Sequence, residues 1–277
     1  MKTIMKVFGI ILITMVCGCD ENQLLSLDKE DTPESKWFES VQLINQKMFS
    51  EAVELLEDVP DEIKLRRENL IRYSSAYAGV CGLDLISLIN EADAINGRTP
   101  LVFLMEVFRN SSAAKLQACQ QAVDIIEDNV SEFAENRNAD ENIALMAYLM
   151  AGVGNFLNSK FDSDNDSIVD VGSDTCDTAQ LTDFEVAELG SALVKIFNSS
   201  LNISDVALLE EVRGDVESGC NGLGGISSGL NFCGNQDPAS YTPAELRGIR
   251  SLVQEGEILG VGSCSSVPNS LANCICL

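Results

Sequence analysis

QLINQKMFSEAVELLEDVP, residues 42–60, reads as the end of one helix, a tight turn and a complete second helix. Upstream, Trp37, Val41, Ile44 and Met48 recur at intervals of four, three and four, which places them on one helical face. Thr32-Pro33-Glu34 predicts the start of that helix, with a capping hydroxyl followed by proline at the first helical position. Phe49 falls in the turn, where it can wedge two helices apart. Ala52 is small where antiparallel helices must approach closely. Ser50, Leu55 and Leu56 carry the second helix to Pro60, whose missing amide and ring clash stop it.

The same period continues outward. Asp61 predicts the cap of a third helix through Ile63, Leu70, Tyr73 and Tyr77, broken at Gly79 and Gly82. Further helical runs are expected over 83–95, 101–109, 113–127 and 140–158. The last, containing IALMAYLMAGVGNFL, is apolar on nearly every side and predicts a central buried helix. Thr182-Asp183-Phe184-Glu185 and Thr242-Pro243-Ala244-Glu245 have the pattern of capping boxes, in which hydroxyl and carboxylate satisfy each other's helix-end amides. A shorter helix is expected over 204–213, followed by a Gly/Ser loop containing Gly222-Leu223-Gly224-Gly225. No alternating strand pattern of useful length occurs.

The junction at residues 42–60 resembles that of a tetratricopeptide repeat, carried by Phe49, Ala52 and Pro60. The resemblance implies stacked α-hairpins, since one hairpin cannot bury both faces alone. The expected fold is all-α, a helical-hairpin bundle or short TPR-like α-solenoid with a disulfide-rich, irregular C-terminal region. The rival is an unrelated helical domain using a common turn. Expected divisions are a leader at 1–18, a tether at 19–33, the TPR-like helices at 34–160, an aspartate-rich loop at 161–181, and helices with a Cys-rich end at 182–277.

The first residues carry Lys2 and Lys6, then an apolar run from Val7 to Val16 of about ten residues, half the ~20 that a permanent span requires. Val16-Cys17-Gly18-Cys19 follows and resembles a bacterial lipobox. That resemblance implies an acyl lipid on Cys19, with Cys17 the rival position, and a lipid-anchored, periplasm-facing place in the bacterial envelope. Asp20 resembles an inner-membrane retention signal, yet which membrane stays open.

Formal net charge is −25, which excludes nucleic acid as a partner and leaves acyl chains, not lipid headgroups, to hold the membrane. There is no histidine, so Ser-His-Asp and Cys-His catalysis and His-ligated metals are excluded. Of ten cysteines, setting aside Cys17 and Cys19 leaves Cys81, Cys119, Cys176, Cys220, Cys233, Cys264, Cys274 and Cys276. Their even number suits disulfides in an oxidising compartment. Cys81–Cys119 is one suggested pair; the others are expected among the C-terminal five, with Cys176 able to staple the acidic loop.

That loop is DSDNDSIVD, residues 162–170. Alternating carboxylates resemble the calcium loops of EF-hands and thrombospondin type 3 repeats. Position by position the resemblance implies ligation by Asp162, Asp164 and Asp166, the Ile168 carbonyl and Asp170, with Val169 as the buried hydrophobe. Ser167 and Ser173 depart from the pattern, and Asp174 or Asp177 is expected to supply the missing oxygen. A hard cation takes 6–8 oxygens at about 2.3–2.6 Å, and it would relieve the mutual repulsion of these carboxylates. A structural calcium is therefore expected, against a merely solvated acidic turn.

Function is expected to be a protein-binding scaffold for an unknown envelope protein with a basic or polar contact surface. A narrower version, compatible with residues 37–95, is similarity to lipoproteins associated with tripartite ATP-independent periplasmic transporters. The alternatives are a small-ligand carrier, with a chamber around Phe103, Phe108, Tyr148 and Phe156, and a metal-dependent hydrolase using the 162–177 cluster. No catalytic residue is assigned.

Overall fold

Local hydrogen bonds set the helix starts. Thr32 Oγ1 accepts the Ser35 amide while Ser35 Oγ accepts the Thr32 amide, opening α1 (Pro33–Asn45). Thr182 and Glu185 open α8 (Asp183–Leu201) reciprocally, and Thr242 and Glu245 do the same for α10 (Pro243–Gln254). In the computed structural model the residues described are 32–85, 88, 98–166, 168–201, 207–256, 258–262 and 271–276. Cys19, the leader, Cys264 and most of the expected helix 83–95 lie outside them. Among the described residues there is no strand, and the fold is an all-helical bundle.

After α1 come α2 (Phe49–Glu57), the single turn α3 (Asp61–Lys64), α4 (Arg67–Cys81), α5 (Pro100–Val107), α6 (Ala113–Asn129), α7 (Ala139–Phe161), α8, α9 (Ala207–Ile226) and α10. Sequence neighbours are largely spatial neighbours: α1 packs on α2, α2 on α4, α4 on α6, α6 on α7 and α7 on α8. The long helix α7 is the hub, touched by α4, α5, α6 and α8. Leu145, Ala151 and Leu157 are wholly buried along it. Helix α5 lies so close that a Cβ on Gly154 would stand 2.6 Å from the Leu104 carbonyl oxygen. One apolar core runs from Ala52 to Leu271.

Three expectations are corrected. Asp61 is the first residue of α3, not its cap, and the helix breaks at Leu65–Arg66, where Arg66 is extended. Asn69 Nδ2 donates to the Ile63 carbonyl at 2.8 Å and Arg66 Nε to the Glu62 carbonyl at 2.8 Å, so side chains take over the bonds that a continued helix would have made. Gly79 does not break α4, because the Phe49 ring lies against it; the end comes at Gly82, with φ at 100°. The Gly/Ser stretch 219–225 is helical, the latter part of α9. A Cβ on Gly219 would press Leu252 at 2.6 Å and one on Gly222 would press Leu271 at 2.9 Å. Close packing, with Leu223 wholly buried, outweighs the roughly 1 kcal/mol that each helical glycine costs.

Buried polar groups latch the elements. Arg137 donates to Asn142 Oδ1, the Ser131 carbonyl and Ser199 Oγ, tying α7 and α8 to the turn after α6. Arg67 grips Glu141 with two bonds of 2.7 and 2.8 Å, and those hydrogen bonds hold the Glu141 carboxyl below its ordinary range. Asn158 Nδ2 donates to the Met105 and Phe108 carbonyls at the end of α5, 2.7 Å each.

Candidate functional site

The chain leaves α7 at Phe161 and enters α8 at Asp183, and the acidic loop fills the gap. The Asp170 amide donates to the Phe161 carbonyl at 2.7 Å, pinching residues 162–169 into a closed turn. Inside it, one carboxylate oxygen each of Asp162, Asp164 and Asp166 lies within 4.8 Å of the others. Asp162 is buried; the other two are exposed. The Asp166 amide donates to Asp162 Oδ1 at 3.0 Å and to Asp164 Oδ1 at 3.3 Å, and Asn165 takes the left-handed conformation that lets the turn close.

The other expected carboxylates fall outside this group. The Asp170 carboxylate accepts the Ser163 amide at 2.9 Å, and Ser163 holds its pKa below the ordinary value. Asp174 accepts the Cys176 amide and Asp177 the Ala179 amide, each closing its own turn rather than supplying a missing oxygen to the first three. The Ile168 side chain is 66% exposed, whereas Val169 packs against the core as expected. Three carboxylates form an all-oxygen donor set of the kind a hard cation takes. Among the described residues no other cluster of three or more metal-ligating side chains occurs.

The second half of the loop is fixed from α10. Arg250, with its side chain 3% exposed, donates to the Thr175 carbonyl at 3.0 Å and to Asp183 Oδ1 at 2.9 Å. Thr175 Oγ1 donates to the Arg250 carbonyl at 2.9 Å. Next to it Cys176 is bonded to Cys276. Cys81 pairs with Cys119 and Cys220 with Cys233, and Cys274 is disulfide-bonded too. Bridging is thus not confined to the C-terminal five, because Cys276 reaches back to Cys176. Nothing in the sequence marks Arg250: an arginine beside Ile249, Leu252 and Val253 carries no sign of a buried latch.

A second feature lies between α6, α7 and α8, an open groove of about 250 Å³. Val123 of α6, Val153 and Phe156 of α7, and Leu189 and Ala192 of α8 give it apolar walls; Gln120, Glu185, Glu188, Ser191 and Lys195 are among its polar members. Lys195 is held by Glu127 at 2.8 Å, where burial pushes the Glu127 carboxyl up against the opposing pull of the lysine. Burial also acts to raise Glu185, but bonds from Lys160 and Thr182 outweigh it and hold that carboxyl low. Tyr148 lines the groove with its hydroxyl 3.0 Å from Ser74 Oγ, and burial pushes its pKa up to about 12. Of the four aromatic residues expected around a ligand chamber, Tyr148 and Phe156 line this groove, while Phe103 and Phe108 are 4% and 3% exposed in the core and do not. At the start of α8, Phe184 is 73% exposed.

No helix among the described residues is long and apolar enough to cross a membrane. Comparison of the chain with protein-family models, with curated proteins and with solved structures finds no match.

Proposed function

We propose that this chain is a lipid-anchored protein of the bacterial envelope that serves as a helical scaffold for another protein, with a structural calcium in the 162–166 turn. The observation that carries the reading is the groove's position: it is half open and lies between α6, α7 and α8, beside a continuous apolar core. A carrier would enclose its ligand, burying 70–90% of it. The disulfides support an oxidising compartment. The acyl lipid on Cys19 then supplies the anchor, since a body of charge −25 is repelled by anionic headgroups. Purification of the full-length protein from gently solubilised membranes is expected to recover one envelope protein in stoichiometric amount. Its repeated absence, with the lipidated chain intact, overturns the scaffold.

For the ion, Asp162, Asp164 and Asp166 would hold it, and the ion would neutralise the turn that joins α7 to α8. With the modest affinity of extracellular calcium modules, 1 mM calcium stabilises by about 0.4–1.4 kcal/mol, or about 1–4 °C in melting temperature. Chelator is expected to remove that increment, and Asp164→Ala to make the melting temperature indifferent to calcium. Identical melting of the unaltered chain with chelator and with calcium reduces the turn to a solvated surface.

A further inference from the structure

Three helix faces meet at the groove. The α7 positions lining it run from Tyr148 to Phe156, which at 1.5 Å per residue is about 12 Å, two turns of helix. Its volume of about 250 Å³ is below the 300–1,000 Å³ usual for small-molecule pockets. A half-open, largely apolar trough of that size, walled by two turns of α7, suits side chains still attached to a helix better than a free ligand.

Charge narrows the occupant. Lys195, which lines the trough, is engaged by Glu127, and Glu185 on its wall is paired with Lys160. Glu188 stands exposed on the same rim, on a body of formal charge −25. Phe184 lies one helical turn before Glu188, on the same edge of α8, and is 73% exposed; large aromatic side chains left in water beside an apolar trough are typical anchors of protein interfaces. We infer that this groove seats the apolar face of a cationic amphipathic helix from the partner protein, with lysines or arginines of that helix against the Glu188 rim and Phe184 closing one side. This deepens the scaffold reading and rests on it. The mode is a helix laid into a groove, read by apolar residues at i, i+3, i+4 and i+7.

The test uses the full chain and three synthetic peptides of about fourteen residues, long enough for the groove and its flanks. One has leucines at i, i+3, i+4 and i+7 with lysines elsewhere. The second has the same composition in scrambled order, and the third has glutamates for the lysines. The patterned lysine peptide is expected to bind about tenfold or more tighter than either control, as read by fluorescence anisotropy. Gly152→Leu adds bulk to the trough wall: a Cβ there meets Cys119 Cβ at 3.7 Å, an ordinary contact, and an unchanged far-ultraviolet circular dichroism spectrum checks that the variant folds. The substitution is expected to weaken binding about tenfold, and Glu188→Lys, an exposed change that spares the core, severalfold. Equal binding of the patterned and scrambled peptides shows mere attraction to an acidic body and overturns the proposal, as does unchanged affinity in Glu188→Lys. If the membrane partner is recovered undiminished by Gly152→Leu and Glu188→Lys chains, the scaffold stands and the groove is not its seat. If the unaltered chain recovers none, the scaffold itself falls.

Discussion

Alanine at both Cys176 and Cys276 is expected to lower the unfolding free energy by about 4–5 kcal/mol and the melting temperature by about 10–15 °C. The bridge joins residues 100 apart, so in the unfolded chain it closes a loop holding all of α8, α9 and α10. Loop-closure entropy grows with the logarithm of loop length. By the same reckoning Cys81–Cys119, with a separation of 38, is worth about 4 kcal/mol and Cys220–Cys233, with a separation of 13, about 3 kcal/mol. The order of the three is therefore the sharper test. The native loop should survive the change locally, because Arg250, Thr175 and Gln254 keep their mutual hydrogen bonds. Paired removal of each bridge, followed by chemical denaturation, checks both statements. A loss at Cys220–Cys233 exceeding that at Cys176–Cys276 would show that local packing, not chain entropy, sets their worth.

Which features could be read in advance follows from how far apart their causes lie. Caps are local: Thr32, Thr182 and Thr242 each find their partner three residues on, so the pattern alone places α1, α8 and α10. The burial of α7 is written in its own composition. The break at Arg66 is also local, but it depends on the Asn69 amide choosing the Ile63 carbonyl, and asparagine spacing does not reveal that choice. The helical state of Gly219–Gly225 depends on Leu252 and Leu271, far along the chain, and glycine content by itself argues the opposite. In the acidic loop, alternation correctly groups Asp162, Asp164 and Asp166. Beyond them the pattern does not decide, because an aspartate in a turn can as readily cap the amide two residues on as face a shared centre, and Asp174 and Asp177 each accept such an amide. The groove is legible only in part, through Tyr148 and Phe156 of α7; the rest of its walls come from α6 and α8, and no local spacing joins the three helices.

Gly79→Ala tests the hairpin junction and sets two effects of opposite sign against each other. On helix propensity alone the change gains about 1 kcal/mol, since Gly79 lies inside α4. Packing opposes it. A Cβ at residue 79 falls inside the van der Waals envelope of the Phe49 ring, closer than real Cβ atoms approach any neighbour. Phe49 begins α2 and is half-buried; the clash reaches its Cγ as well as both Cδ atoms, so the whole ring, not its far edge, must move. Overpacking of this kind costs about 1–3 kcal/mol and sometimes more, which exceeds the propensity gain. A net destabilisation of about 2 kcal/mol is expected, seen as a lower denaturation midpoint with an unchanged slope. In a Phe49→Ala background the obstacle is gone, and the same substitution should become neutral or stabilising by up to about 1 kcal/mol. That reversal of sign isolates the contact from every other property of the site. If Gly79→Ala destabilises equally in both backgrounds, the aromatic wedge does not hold α2 against α4, and the physical basis for reading residues 42–60 as a helical hairpin locked by Phe49 is lost.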